Sequence, residues 1–311
     1  MKEFMQGEKI NPAPFTAVSA ASGRLGHAVL RALLADNTPA NIVAIARSPE
    51  KVQLDGVEKR SGDYNTVASM AAALAGIDTL IMISAPVGDW DRVLMHRNVI
   101  NAARQAGVRK IVFTSVIGNG QEQDTWFWGT QQVNRQTEAD LKSSGLEWVI
   151  ARNGLYLEMD LRHILHANAA GLYRNVGGDG ECGYITIDEL AFAIAGLAQG
   201  DHHNGKTFNL VGPNMSQAAL VQLANEVFGL RVRYETLSDE ENIALLMQDE
   251  KIAARGKDVA RMLTGCFQCV RNGAFNVRSD FEAAAGRPVK STRRMMEDLR
   301  AGLSDQGQPR V

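Results

Sequence analysis

FTAVSAASGRLG, residues Phe15 to Gly26, runs from a short apolar stretch through a turn of small residues with Gly23 and Gly26 into an amphipathic segment. A strand that ends in such a turn and opens a helix points backbone N–H groups at one spot, and a dinucleotide pyrophosphate is the anion that suits it. The pattern departs from the full glycine fingerprint at its first position, where Ala20 leaves A-x-x-G-x-x-G. The flanking segments therefore have to carry the reading.

They repeat one rhythm. Leu25, Ala28, Val29, Ala32 and Leu33 recur at helical spacing, so one stripe packs on a sheet, and the helix is expected to stop near Asp36 and Asn37. Ile42–Ala46 (IVAIA) is a run suited to a strand buried on both faces. Strands at Val57–Arg60, Thr79–Ile83, Lys110–Thr114 and Glu147–Ala151 follow. They alternate with helices from Val67 to Leu74, closed by Gly76, from Trp90 to Ala106, closed by Gly107, and from Trp126 to Leu141. Strand–helix alternation joined by short turns specifies an α/β, Rossmann-type doubly wound parallel sheet.

After Arg152-Asn153-Gly154 the rhythm breaks. Leu157–Ala170 is expected as a short helix over the site and Gly177–Gly180 as a loop, before a helix at Asp188–Ala198 and a strand at Thr207–Val211 return to the sheet. Beyond Pro213, residues 216–228, 238–250, 255–271 and 291–303 look helical, with a strand near Val232–Glu235. The expected organisation is a leader over 1–14 and a cofactor domain over 15–155 to which 182–212 returns. A smaller, mainly helical C-terminal substrate-binding subdomain, or cap, takes 156–181 and 213–311.

A formal net charge of −2 over 311 residues gives no electrostatic reason to expect a nucleic acid or a membrane surface as partner. No apolar run approaches the roughly 18 to 20 residues that span a bilayer, and the N-terminal MKEFMQGEKINPAP lacks a signal-peptide core, so a cytoplasmic protein is expected. Three cysteines make no disulfide framework, and Cys266 and Cys269 read as ordinary thiols on a helix. His202 and His203 have no partner at ligand spacing, and no metal site is expected.

Ligands of such sheets lie at the strands' C-terminal ends, which selects Ala20–Arg24, Arg47, Asp63, Ser84–Pro86, Thr114, Ser115 and Asn153 as one rim. Arg47 stands where an acidic residue would bond a ribose 2′-hydroxyl. With Lys51 one helical turn on and Arg24 in the first turn, three cations favour the 2′-phosphate of NADP(H) over NAD.

The run His96-Arg97-Asn98-Val99-Ile100-Asn101-Ala102-Ala103, continuing through Ala106-Gly107-Val108 to Thr114-Ser115, resembles the NmrA-like, atypical short-chain dehydrogenase/reductases. Within them it resembles the NADPH-dependent quinone and triphenylmethane dye reductases. Gly62-Asp63-Tyr64, Thr137-Glu138, Arg152-Asn153-Gly154 with Tyr156, and Gly286-Arg287-Pro288 match as well, and the resemblance runs from about Phe15 to Val211. It implies Ser22, Gly23, Arg24 and Leu25 at the pyrophosphate, Arg47 with Lys51 at the 2′-phosphate, and Asp63 with Tyr64 at the adenine. Ser84, Ala85, Pro86, Thr114 and Ser115 would line the nicotinamide side, with Asn153 and Gly154 beneath it. Two positions depart from the family: Ala20 replaces the first glycine, and Leu155 stands where those reductases carry a tryptophan.

None of the tyrosines 64, 156, 173, 184 and 234 has a lysine four residues on, so the Tyr-x-x-x-Lys acid of the larger class is absent. Hydride delivery from NADPH to a planar, electron-poor acceptor of the quinone, azo or dye kind, with solvent completing protonation, fits better. Tyr156, His163 and His166 are the substrate-side candidates, with Tyr156 and His163 named as catalytic. His96 is expected to orient backbone or pack, and Trp126, Phe127 and Trp128 form either a stacking wall or a loop packed on the cap. The alternative is a non-catalytic NADP(H)-sensing regulator with a protein partner; a third reading is an isomerase or reductase of one metabolite. The oligomeric state stays open, a homodimer included.

Overall fold

Mostly apolar runs, bordered by the more polar edge strands, form one central sheet in the computed structural model, which describes residues 14–35, 41–87 and 91–305. In chain order these are β1 (Phe15–Val18), α1 (Arg24–Ala35), β2 (Asn41–Ala46), β3 (Glu58–Ser61), α2 (Val67–Ala73), β4 (Thr79–Met82), α3 (Arg92–Ala106), β5 (Lys110–Val116), α4 (Trp128–Lys142) and β6 (Glu147–Asn153). The leader up to residue 13, the helix stop at Asp36 and Asn37, and Trp90 lie outside the described residues.

The chain then leaves the sheet through β7 (Leu155–Tyr156), α5 (Leu157–Ala167), β8 (Leu172–Asn175) and β9 (Glu181–Ile185), and returns by α6 (Ile187–Ala198) to β10 (Lys206–Leu210). The remainder is β11 (Asn214–Ser216), α7 (Gln217–Phe228), β12 (Arg233–Thr236), α8 (Asp239–Leu246), α9 (Glu250–Ala253), α10 (Lys257–Arg271), α11 (Phe281–Ala285) and α12 (Thr292–Asp305). The segment expected as one helix over 238–250 is two, because Asp249 caps a new start: its Oδ1 accepts from the Lys251 and Ile252 amides at 2.8 and 3.1 Å.

The sheet order is β10-β6-β5-β4-β1-β2-β3, and every neighbouring pair is parallel. Alternation along each strand divides the core in two. Ile42, Ala44, Ala46, Ile81 and Val112 face α1 and α6, while Val43, Ile45, Leu80, Met82, Ile111 and Phe113 face α2 and α3. The order reverses between β1 and β4. Their C-terminal ends open the crevice in which a doubly wound sheet holds its ligand.

Outside the sheet, β7, β9 and β11 form one small sheet and β8 and β12 another. Helix α10 is pressed against the 126–127 backbone: a Cβ on Gly265 would lie 2.3 Å from the Phe127 nitrogen. Among the described residues no helix is long and apolar enough to cross a membrane.

Candidate functional site

The turn after β1 is tied to the strands on both sides. The Ser19 amide donates to Ile81 O of β4 and the Ala21 amide to Ile45 O of β2, each at 3.0 Å, and the Gly23 amide closes the loop on Ala20 O at 2.9 Å. To make these bonds Ala20 takes φ = +49°, the one non-glycine residue with positive φ among those described. The first bond of α1 runs from the His27 amide to Gly23 O at 2.9 Å, so the amides of Arg24, Leu25 and Gly26 keep no intrahelical partner. A Cβ on Gly26 would sit 2.6 Å from Ala20 O, so no larger residue fits this approach of helix to turn.

A cleft of about 470 Å³ lies at the switch point. It is lined by Ala20, Ser22 and Gly23 of the turn, by Arg47, Ser48 and Lys51 after β2, and by Asp63, Tyr64, Ala85, Pro86 and Met95. Ser22 and Gly23 also border a second depression of about 400 Å³ that includes Arg24, Arg31, Glu158 and Asp188. Exposed cations beside an outward-facing helix start and small residues at the turn are a donor set that fits a phosphorylated dinucleotide.

Most expected residues converge here, and several do so differently from the expectation. Tyr64 reaches the cleft, but its hydroxyl turns inward, bonded to Ser19 Oγ at 2.5 Å and donating to Ile83 O at 2.7 Å. Burial pushes its ionisation well above the ordinary phenol range. Leu25 is buried in the core and has only its amide near the turn. Thr114 and Ser115 are 2% and 6% exposed, so their hydroxyls do not line the cleft. Thr114 Oγ1 accepts from the Ser84 amide at 3.0 Å, and Ser115 Oγ donates to Glu138 Oε1 at 2.7 Å.

Gly154 is buried between strands, and Asn153, 5% exposed, has a buried Oδ1 with no partner among the described residues, an acceptor left for a ligand N–H. Tyr156 is half-buried beside it. Burial raises its pKa, partly offset by Asn153 and Arg24, so the phenol keeps its proton at neutral pH. His163 and His166 are exposed on α5, and the lowered pKa of His163, from desolvation and then Arg162, keeps that imidazole neutral.

The remaining motif residues are connectors. Glu138 is buried and accepts from Arg152 Nε and Nη2 at 2.9 and 2.6 Å and from Arg135 Nη1 at 2.5 Å. Burial alone would raise its pKa, and the bonds from Arg152, Arg135 and Ser115 more than reverse that. Arg287 forks onto buried Glu189 at 2.7 and 2.8 Å and lies over the Phe192 ring. The 126–128 stretch packs on α10 and the segment after it: the Trp126 amide donates to Gln268 Oε1 at 2.9 Å, and Phe127 meets Phe275 edge-on at 5.6 Å. Cys266 and Cys269 lie in α10, and burial pushes the Cys269 thiol up to about 12. Among the described residues no group of three or more His, Cys, Asp or Glu side chains is arranged to hold a metal ion.

Sequence reasoning missed Met95 and Ser48 on the cleft walls and Arg92 behind them. Met95 was legible only as one apolar position among several on a helix.

A parallel sheet with its cleft at the β1/β4 reversal and a helix start facing that cleft defines a nicotinamide-dinucleotide-binding protein of the doubly wound class. Residues 20–170 match a family model described as NAD(P)H-binding. The chain is 36% identical to quinone oxidoreductase 2 of Escherichia coli over 74% of its own length and 80% of that protein. It is 31% identical to an NmrA-like family domain-containing oxidoreductase of Aspergillus flavus over 72% of this chain and 75% of the other. Its structure superposes on triphenylmethane reductase from Citrobacter sp., solved with NADP(H), with a TM-score of 0.81, 28% identity, and coverage of 93% of this chain and 100% of that one. The chain belongs to the NmrA-like family of NAD(P)H-binding proteins, and it is an NAD(P)H-dependent oxidoreductase.

Proposed function

We propose that the protein is an NADPH-dependent reductase of planar, electron-poor acceptors of the quinone, azo or dye class, working without a Tyr-x-x-x-Lys acid. The observation that carries the cofactor choice is the pair Arg47 and Lys51 lining the cleft, with Arg47 directly after the last residue of β2. A guanidinium and an ammonium at that place bind a 2′-phosphate and offer no acceptor to a bare ribose hydroxyl. The quinone reductase and the triphenylmethane reductase above support the acceptor class.

Bound NADPH supplies a hydride from its nicotinamide ring. The chain supplies position. Ser22, Gly23 and the amides of Arg24 and Leu25 take the pyrophosphate; Asp63 and the ring of Tyr64 bound the adenine. Ser84, Ala85 and Pro86 form the nicotinamide side with Asn153 and Gly154. Thr114 and Ser115 act behind them, through the Ser84 amide and Glu138. Tyr156 stands on the substrate side as a protonated phenol, with His163 of α5 as the second substrate-side candidate. Residues 15–155 with 182–212 form the cofactor domain, and 156–181 with 213–311 form the cap.

The test follows NADPH consumption against quinones, azo dyes and triphenylmethane dyes. Turnover is expected with at least one class, with NADPH preferred to NADH, and Arg47→Ala is expected to cut that preference about tenfold by removing one charge-assisted contact. Tight NADPH binding without turnover on any acceptor would replace this reading with that of a cofactor-sensing regulator. Equal loss of NADPH and NADH affinity in Arg47→Ala would remove Arg47 from the 2′-phosphate.

A further inference from the structure

The rim residue Ala85 is held at both ends of its backbone by one helix face. Its amide donates to Nε2 of His96 at 2.9 Å, and its carbonyl accepts from Nε of Arg92 at 3.1 Å. Arg92 Nη2 also donates to Ser84 Oγ at 2.8 Å. Arg92 and His96 are four apart on α3, and so lie on the same face; Met95 between them lines the cleft itself. His96 is fully buried, packed edge-on against Phe113 with centroids 5.5 Å apart.

The network fixes its tautomer. Nε2 accepts from Ala85, so Nδ1 carries the proton and donates to Thr137 Oγ1 at 2.8 Å, and that hydroxyl in turn donates to Val133 O of α4 at 2.8 Å. Desolvation, then Arg92, lowers the imidazole pKa to about 3, so the acceptor at Nε2 stays available.

We propose that His96 is a positioning residue for the cofactor: through the Ala85 amide it fixes the Ser84–Pro86 rim of the cleft, using Thr137 as its anchor on α4. This rests on the cofactor reading above and needs nothing from the acceptor reading. The motif residues His96 and Thr137 then serve one task, which is to hold a strand-end peptide that cannot hold itself. Its N–H and C=O point at α3 and not into the sheet, and a buried amide left without an acceptor costs enough to move the rim.

Two substitutions separate the two ends of the imidazole. His96→Gln places an amide oxygen where Nε2 was and keeps the bond from Ala85; His96→Asn places its amide at the level of Nδ1, keeps Thr137 and abandons Ala85. Both remove the same ring. NADPH dissociation constants, read by fluorescence titration without any acceptor, are expected within about threefold of the parent for His96→Gln. They are expected to be raised about tenfold or more for His96→Asn, at closely similar melting temperatures. Equal affinities for the two variants, whether both near the parent or both lost, would overturn the proposal.

If His96→Asn does not fold, Thr137→Val decides. It frees the anchor at little change of shape, and is expected to weaken NADPH binding about threefold. An unchanged constant overturns the proposal. Because the readout is NADPH binding alone, failure of every acceptor leaves the proposal standing. A parent protein that does not bind NADPH would remove the cofactor reading and the proposal together.

Discussion

Ala20 shows how a single residue conflicts with its backbone. An L-residue in the left-handed region loses about 1–2 kcal/mol. The bonds that hold the turn, Ser19 to Ile81, Ala21 to Ile45 and Gly23 to Ala20, are made only in this conformation. Ala20→Gly would relieve that strain while giving the unfolded chain extra freedom worth roughly 0.5–1 kcal/mol. The expected outcome in urea unfolding is neutral to about 1 kcal/mol more stable; Ala20→Val, β-branched in the same region, should lose about 2 kcal/mol or more. A glycine variant clearly less stable than the parent would show that the methyl group contributes packing that outweighs the strain. The turn, Arg47 and Asp63 were legible in the sequence because strand-end position alone places them. The inward turn of the Tyr64 hydroxyl, and the concealment of Thr114 and Ser115, were not. Their partners Ser19, Ser84 and Glu138 are 45, 30 and 23 residues distant in the chain, and no local pattern encodes those pairings.

Between elements, the contact of α5 with β8 contains a titrating group. Asp160 of α5 is 6% exposed and accepts from the Tyr173 hydroxyl of β8 at 2.9 Å; burial, partly offset by that bond, pushes its carboxyl up to about 6. The unfolded carboxyl titrates near its ordinary value of about 4, so between about pH 4 and 6 the folded state binds more protons than the unfolded one. This acid therefore stabilises the fold least at high pH: its contribution falls as pH rises through that window, by on the order of 1–3 kcal/mol, and is constant above it. Asp160→Asn keeps an acceptor for Tyr173 and removes the titration. Relative to the parent it should gain stability progressively from pH 4 to 7 in urea midpoints. A difference that stays constant across pH would mean that Asp160 titrates alike in both states. Strand β8 itself was invisible beforehand. It has four residues, LYRN, of which only Tyr173 and Asn175 are buried, and its partner is β12, far along the chain. Strands β1, β2, β4, β5 and β6 were legible because each is a mostly apolar run in a strand–helix rhythm, and the charged edge strand β3, EKRS, only from its place in that rhythm before Gly62-Asp63, whereas β7, β9 and β11 depend on one another.

For the whole molecule, the decisive feature is that one apolar core passes from the sheet into the elements proposed above as the cap. Val29 and Leu33 of α1 and Leu190 and Ile194 of α6 belong to the same contiguous cluster as Leu157 and Ile164 of α5, Cys269 of α10, Phe281 of α11 and Met295 of α12. The covering of the sheet by α6 is thus also the floor on which the cap rests, and Gly265 lets α10 approach the 126–127 backbone too closely for an independent hinge there. Separate unfolding of the cap would expose this shared surface at a cost proportional to its area. Heating should therefore give one transition, coincident in far-ultraviolet circular dichroism, dominated by the helices of both parts, and in fluorescence of the tryptophans, which include Trp126 and Trp128 at the cap contact. NADPH at about 100 times its dissociation constant adds about 2.7 kcal/mol to the folded state, which for a chain of this size raises the midpoint by on the order of 5 °C. Since the cleft lies on the sheet side, the informative quantity is whether both probes move together. A common shift follows if cap and sheet are one cooperative unit; a fluorescence transition that precedes the dichroism change and ignores NADPH would mean that the cap melts alone and that the shared core is too weak to couple them.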